Sequence, residues 1–254
     1  LEAKDDLIVD LSSSLFVNLL FINMSQEPFD DPLVRRALNY AIDREQILEG
    51  AWSGVGEVAH TILPEDHWAY PEDLDPRPTY DPDRARELLE EAGHGDGFSF
   101  TLGSLPDSSW VRSAEIIQAQ LAEVGLEASI ETAAVAEITA RFNEDEDFPV
   151  TNSAWTGRPA PQLTYDLMFR PEGYFNAGDA EVPGLEEHLQ AADSAEDMDG
   201  QAEALRAAAD VIAEQGAFVP LHIKAETAAY RDTVGGFEPN QLGKLRTDHI
   251  YINQ

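Results

Sequence analysis

An alternation of strand and helix patterns between residues 98 and 154 is the sequence feature that most constrains the fold. Leu126, Ala128 and Ile130 alternate with charged or polar residues, as in a half-exposed strand, and the apolar residues of 109–124 recur at helical spacing. The predicted order is strand 98–102, helix 109–124, strand 126–131, helix 135–143 and strand 148–154. Because strands separated by helices favour parallel pairing, we predict an α/β fold with a mixed, mostly parallel sheet flanked by helices.

The same signals predict further elements on both sides of this block. The apolar segment 15–23 is typical of a buried strand, and residues 218–223 and 227–230 are predicted to form a final β pair. Acidic residues followed by proline begin two helices, one from Asp31-Pro32 toward Gly50 and one from Asp81-Pro82 toward Gly93. Three later helices are predicted at 162–169, 183–193 and 199–215.

Charge and cysteine content exclude several classes of function. The 254 residues include 16 Lys and Arg against 49 Asp and Glu, which gives a formal net charge of −33. A charge of that sign repels phosphate backbones and anionic membrane surfaces, so nucleic-acid binding is not expected. The chain has no cysteine, which excludes disulfides, thiolate metal sites and thiol nucleophiles.

No motif in the sequence predicts catalysis, a metal site or a cofactor. The six histidines have no metal-ligand spacing, and the glycine-rich segments 54–59 and 93–97 lack the context of a dinucleotide or phosphate loop. No nucleophile elbow is present. We therefore predict a protein that is not an enzyme and has neither a resident metal nor a cofactor.

The segment that follows strand 148–154 is the first candidate binding site. Trp155, Thr156, Gly157 and Arg158 lie at the carboxyl end of a predicted parallel strand, the usual ligand edge of such sheets. Tryptophan offers an apolar wall, glycine allows close approach to the backbone, and arginine donates a forked pair of hydrogen bonds to a carboxylate. The alternative is that Trp155 is a core residue and Arg158 pairs with one of the many acids.

The loop 103–110 follows another strand of the same predicted sheet and should face the same edge. Its candidate ligand contacts are Asp107, Ser108 and Trp110. The alternative is that these residues serve the turn and the start of the next helix.

Several segments in order along the chain resemble the family 5 extracellular solute-binding proteins, the dipeptide, oligopeptide and nickel receptors of ABC importers. Residues 28–45 (PFDDPLVRRALNYAIDRE) are similar to a helix signature of that family. The same order of resemblance continues through Tyr80-Asp81-Pro82, residues 88–93 (LLEEAG), residues 116–121 (IIQAQL), Trp155-Thr156-Gly157, Val219-Pro220-Leu221, Gly235-Gly236-Phe237 and Leu242-Gly243.

The resemblance implies a lobe of the periplasmic-binding-protein type II kind. Family members are roughly twice this length, so residues 25–217 would form lobe II, and 1–24 and 218–254 would be strands that lead to lobe I. It also implies an export signal in a missing N-terminal part, an extracytoplasmic location in the periplasm or anchored at the cell surface, and a monomer. The partners it implies are ABC permease subunits and a small peptide or peptide-like solute.

One position departs from the family pattern. Dipeptide and oligopeptide receptors carry an Asp just after Trp-x-Gly that pairs with the ligand's ammonium group, whereas this chain has Arg158 and, two residues later, Ala160. A cation there opposes an ammonium group, so we expect an anionic ligand or one without a free amine, unless Asp107 replaces the missing acid. The alternative is that Arg158 only braces the loop and does not contact the ligand. Two other function classes stay open, a solute-sensing domain of a transcriptional regulator and a carboxylate hydrolase.

Overall fold

The computed structural model describes residues 6–253 except 146 and 245. It contains short and long strands joined by helices, with one 3-10 turn at Ala177–Asp179. The strands are β1 (Leu7–Ser12), β2 (Phe16–Ile22), β3 (Glu57–Val58), β4 (Phe98–Ser104), β5 (Leu126–Thr132), β6 (Val150–Thr156), β7 (Phe218–Ile223), β8 (Glu226–Arg231), β9 (Val234–Gly235) and β10 (Tyr251–Ile252). The helices are α1 (Pro32–Ala41), α2 (Arg44–Trp52), α3 (Pro82–Glu91), α4 (Ser108–Glu123), α5 (Val135–Asn143), α6 (Pro161–Phe169), α7 (Leu185–Asp193) and α8 (Met198–Gln215).

A six-stranded sheet with the order β3-β7-β2-β6-β4-β5 forms the centre of the fold. Strand β4 pairs in parallel with β5 and β6, whereas β2 is antiparallel to both β6 and β7, and β3 is antiparallel to β7. Four strands, β4 to β7, therefore run in one direction, although direct parallel pairing is confined to β4 and its two neighbours. The mixed sheet flanked by helices is confirmed.

Two apolar cores lie on the two faces of this sheet because alternate residues of β2 point to opposite sides. Val17, Leu19 and Phe21 join the core formed with α6, α7 and α8. Leu20 and Ile22 join the core formed with α1, α2, α3 and α4. The apolar sequence of β2, interrupted only by Asn18, is thus explained by burial on both faces.

Aspartate caps begin the helices that the sequence predicted from acid–proline pairs. Asp31 accepts a hydrogen bond from the backbone N–H of Leu33 (2.8 Å), and Asp81 accepts one from Arg84 (2.9 Å). Each cap satisfies a backbone donor that has no partner within the helix, and proline follows where no donor is needed.

The expected single helix from Asp31-Pro32 toward Gly50 is wrong, because it is two helices. Helix α1 ends at Ala41, where Ile42 becomes extended, and Asp43 begins α2 by accepting a hydrogen bond from the N–H of Gln46 (3.1 Å). Gln120 of α4 contacts the break by accepting a hydrogen bond from the N–H of Asp43 (3.1 Å). The break thus depends on a partner 77 residues away, which helical periodicity does not reveal.

The predicted final β pair is also wrong in its partners. Strand β7 is buried along its whole length and pairs with β2 and β3, whereas β8 alternates between half-buried and exposed residues and pairs with β1 in a separate two-stranded sheet. The predicted boundaries at 24/25 and 217/218 stay a prediction. In the structure, β2 and β7, which lie outside 25–217, are central strands of the six-stranded sheet.

Candidate functional site

The carboxyl ends of β4, β5 and β6 lie together at one edge of the six-stranded sheet because these strands are parallel. Both predicted ligand loops leave from this edge, the segment 155–161 from β6 and the loop 103–110 from β4. The structure therefore brings the two loops to the same side of the fold, as the strand pattern predicted.

Trp155 is a buried platform at the end of β6. Its side chain is only 2% exposed, its indole N–H donates a hydrogen bond to the Oγ1 of Thr164 (3.3 Å), and the Phe175 ring packs edge-on against it with 4.8 Å between ring centres. This burial matches the core alternative for Trp155 better than an exposed apolar wall.

Gly157 brings the loop close to the start of β2. Its N–H donates a hydrogen bond to the carbonyl oxygen of Leu15 (2.6 Å), and a Cβ at this position would lie 2.9 Å from the Leu15 Cβ. The absence of a side chain therefore serves packing between two segments of this chain. Next to it Thr156 is exposed.

Arg158 is held over the platform by three contacts. Its Cζ lies 4.8 Å from the centre of the Trp155 ring, its Nη1 donates a hydrogen bond to the Thr156 carbonyl oxygen (2.6 Å), and its backbone N–H donates one to Thr164 Oγ1 (3.2 Å). The side chain forms no ion pair with any described carboxylate. The alternative that Arg158 pairs with a nearby acid is thus not observed among the described residues.

A cavity of about 230 Å³ lies beside Arg158, between α5 and β6. Seven of its thirteen lining residues are aromatic or aliphatic, and the others are polar or charged, with Arg158 and Thr156 contributed by the end of β6 and the loop after it. Its lining includes Ile138 and Phe142 of α5, Trp155 and Arg158 at the end of β6, and Phe175.

The second loop provides two accessible polar groups and one buried ring. Asp107 stands at the start of α4 without a side-chain hydrogen bond to the helix, and both Asp107 and Ser108 are exposed. Trp110 is 8% exposed and packs edge-on against Trp52, with 5.2 Å between ring centres. Trp110 thus contributes to a small core, which leaves Asp107 and Ser108 as the accessible side chains of this loop.

Sequence reasoning did not find Phe175 or Thr164 as parts of this site. Thr164 lies inside a correctly predicted helix, yet its contacts with Trp155 and Arg158 depend on how that helix packs. Phe175 belongs to a segment without strand or helix pattern, so no periodic signal identified it. No group of three or more metal-binding side chains occurs among the described residues.

Comparison with models of known protein families shows to which family this chain belongs. The model of the bacterial extracellular solute-binding proteins, family 5 (middle region), matches residues 1–176. This chain belongs to family 5. Glutathione-binding protein GsiB of Escherichia coli (strain K12) is 30% identical to the family 5 chain over 247 residues, which are 93% of the chain and 48% of that protein. The chain thus spans about half the length of the curated relatives it matches.

Two solved structures share the fold of this chain. HbpA2 from Haemophilus parasuis superposes with a TM-score of 0.90 at 22% identity, over 100% of this chain and 51% of that one. The dipeptide binding protein from Pseudoalteromonas sp. SM9913, in complex with Met-Leu, has a TM-score of 0.82 at 25% identity, with coverage of 100% and 51%. The predicted periplasmic-binding-protein type II-like fold of the family 5 chain is therefore confirmed. No helix among the described residues has the length and apolar character needed to span a membrane.

Buried His222, on β7, predicts a pH dependence of stability in this family 5 chain. The ring is 1% exposed, contacts the Asn18 side chain and lies 4.8 Å from the Trp52 ring centre, and burial lowers its pKa to about 4. A histidine in the unfolded chain has a pKa of about 6.5. As the pH falls, the unfolded chain therefore takes up a proton at this histidine before the folded protein does. The contribution of neutral His222 to the free energy of unfolding is complete above about pH 6.5 and is lost as the pH falls toward 4.

We expect His222→Gln to reduce the stability lost between pH 7 and pH 5 by about 2 kcal/mol. The measurement is urea unfolding of both proteins at the two pH values. The same substitution at exposed His249 is the matched control, and the difference between the two variants isolates the effect of burying the imidazole at position 222. An identical loss in the wild type and the His222→Gln variant would show that His222 does not contribute to it.

Proposed function

We propose that this family 5 chain is the ligand-binding lobe of an extracytoplasmic receptor that captures a peptide-like solute and delivers it to an ABC permease without chemical change. The observation that carries the proposal is Arg158, a cation fixed at the ligand edge of the sheet and left without a carboxylate partner among the described residues. In a chain with a net charge of −33, such a guanidinium is available for an anionic group of a ligand.

The names of the relatives support a peptide-like solute. The relative with 30% identity is a glutathione-binding protein, and the structural neighbour with 25% identity holds the dipeptide Met-Leu. None of the relatives described above is named as a transcriptional regulator or a hydrolase, so these alternatives have no observation in their favour.

The ligand contacts proposed for this lobe are of two kinds. Arg158 and Thr156 would contact the solute directly, together with Asp107 and Ser108 of the neighbouring loop. Trp155, Gly157 and Trp110 would fix the two loops, since the two indoles are nearly inaccessible and Gly157 packs against Leu15. Closure of a second lobe over this edge would bury the solute, and we propose that the receptor acts as a monomer.

A thermal-shift screen tests this function on the longest natural form of the protein that contains these 254 residues. The compounds are free peptides, the same peptides N-acetylated, glutathione, small dicarboxylates, sugars and Ni²⁺ chelates. A compound that binds only the folded protein raises the melting temperature, so glutathione or peptides should do so and should be recovered unchanged. Absence of any shift, or recovery of a hydrolysed peptide, would overturn the proposal.

A further inference from the structure

The cavity between α5 and β6 is too small for a whole ligand. Its volume is about 230 Å³, whereas complete small-molecule sites occupy about 300–1,000 Å³. An apolar cavity of about 150 Å³ is large enough to hold benzene. The cavity therefore has room for one apolar or aromatic side chain of a larger ligand.

The walls of the cavity favour an apolar group. Phe142 and Ile138 of α5 are buried, and Phe175 stacks on Phe21 with 5.7 Å between ring centres and meets Trp155 edge-on. Arg158 is the only charged residue that lines the cavity among the described residues, and five uncharged polar residues line it as well: Thr139, Asn143, Thr151, Ser153 and Thr156. An apolar side chain that covers the aromatic and aliphatic part of this wall removes apolar surface from water and so gains free energy.

Arg158 adds one charged group to this apolar wall. Its guanidinium is already oriented by the Trp155 ring and the Thr156 carbonyl oxygen, and its Nε and Nη2 have no hydrogen-bond acceptor among the described residues. A planar fork with free donors matches a carboxylate, and little further ordering is needed when the carboxylate binds.

From these observations we infer that the cavity is a side-chain subsite for a ligand residue whose carboxylate pairs with Arg158 and whose apolar side chain enters between α5 and β6. The inference rests on the proposed function and specifies its substrate class. A residue of this kind is the carboxyl-terminal residue of a peptide, or an acylated amino acid with an apolar side chain.

The test is a titration with three small probes, followed through the indole N–H signals of the four tryptophans in the NMR spectrum of the protein. N-acetyl-L-phenylalanine carries both features, its amide lacks the carboxylate, and N-acetylglycine lacks the side chain. We expect the phenylalanine acid to bind in the millimolar range and the other two probes to bind at least about tenfold more weakly.

Variants test separately whether the ligand carboxylate contacts Arg158 and whether the ligand side chain enters the cavity. Arg158→Gln should remove the preference for acid over amide, whereas Arg112→Gln, at an exposed arginine of α4, should leave it unchanged. Ser153→Leu fills the cavity from β6 and Thr139→Leu fills it from α5, and each should remove the preference for phenylalanine over glycine. Two independent filling variants keep the test valid if one of them fails to fold.

The contact with Arg158 is overturned by equal binding of the acid and its amide, or by an unchanged acid preference in Arg158→Gln. The side-chain contact is overturned by equal binding of N-acetyl-L-phenylalanine and N-acetylglycine, or by an unchanged preference for phenylalanine in both filling variants. Failure of N-acetyl-L-phenylalanine to bind overturns the whole inference. If peptides still raise the melting temperature in the thermal-shift screen, the receptor function stands and only the subsite is wrong. If no compound binds in either experiment, the receptor function itself is wrong.

Discussion

Replacing Arg44 with methionine is expected to lower the free energy of unfolding by about 3–5 kcal/mol. Arg44 is 4% exposed and joins the break between α1 and α2 to β7. Its Nε donates to the Pro220 carbonyl oxygen (2.7 Å), Nη1 to the carbonyl oxygens of Asn39 and Ile42 (3.1 Å each), and Nη2 to Asn39 Oδ1 (3.0 Å). Methionine fills similar space but leaves these acceptors without a donor.

The charge on Arg44 does not change this expectation. Burial lowers the pKa of Arg44 to about 10, so the guanidinium is still protonated at neutral pH and all its donors are in place. Urea unfolding of Arg44→Met measures the loss, and Arg112→Met, at an exposed arginine, is the matched control, with an expected change below about 0.5 kcal/mol. Equal stabilities of the two variants would contradict the structural role given to Arg44.

Replacing Gly97 with alanine is expected to cost about 3–5 kcal/mol, because conformational strain and a backbone clash add. Gly97 precedes β4 and has a φ of +75°, a region that alanine rarely adopts. A Cβ there would lie 1.9 Å from the carbonyl oxygen of Gly125, which precedes the neighbouring strand β5. Relief of the clash requires the starts of two paired strands to move apart.

Gly93→Ala provides the control for the conformational part of this cost. Gly93 has a similar φ of +81°, but no heavy atom lies within 4 Å of the position of its Cβ. We expect a cost of about 1–2 kcal/mol there. The difference between the two variants in urea unfolding isolates the clash, and equal costs would mean that β4 and β5 do not approach as closely as the structure shows.

Local patterns were sufficient for most of the helices and strands. Helix α5 has the predicted bounds Val135–Asn143, and β4, β5, α3 and α8 differ from their predicted ends by two residues or less. These elements are set by near neighbours in sequence, through an apolar face, an acidic cap or a terminal glycine. The spacing of apolar, acidic and glycine residues in the sequence is therefore enough to predict these elements.

Long-range contacts explain what the patterns missed. The break at Ile42 and Asp43 is held by Arg44 and Gln120, through partners on β7 and α4. The separation of β7 from β8 follows from the pairing of β8 with β1, at the other end of the chain. Neither arrangement has a local sequence signal, since each depends on residues that are distant along the chain.

In the candidate site, too, a sequence pattern predicted the position of the loop, whereas contacts between distant residues determine the surroundings of its side chains. The loop after β6 was located correctly at the carboxyl edge of parallel strands, because topology fixes where such loops emerge. The sequence left open whether Arg158 pairs with an acid and whether Trp155 is exposed. Trp155 is buried by packing against Thr164 and Phe175, neither of which the sequence identified as part of the site. The Arg158 side chain contacts the Trp155 ring and the Thr156 carbonyl oxygen and not an acid.

A crystal structure of the protein with the compound that gives the largest thermal shift tests the central claim most directly. We predict that a carboxylate of the ligand lies within hydrogen-bonding distance of the Arg158 guanidinium, at the carboxyl edge of β4 and β6. A ligand bound away from this edge, for example against α6 and α7, would contradict the assignment of the loop after β6 as the ligand-binding site.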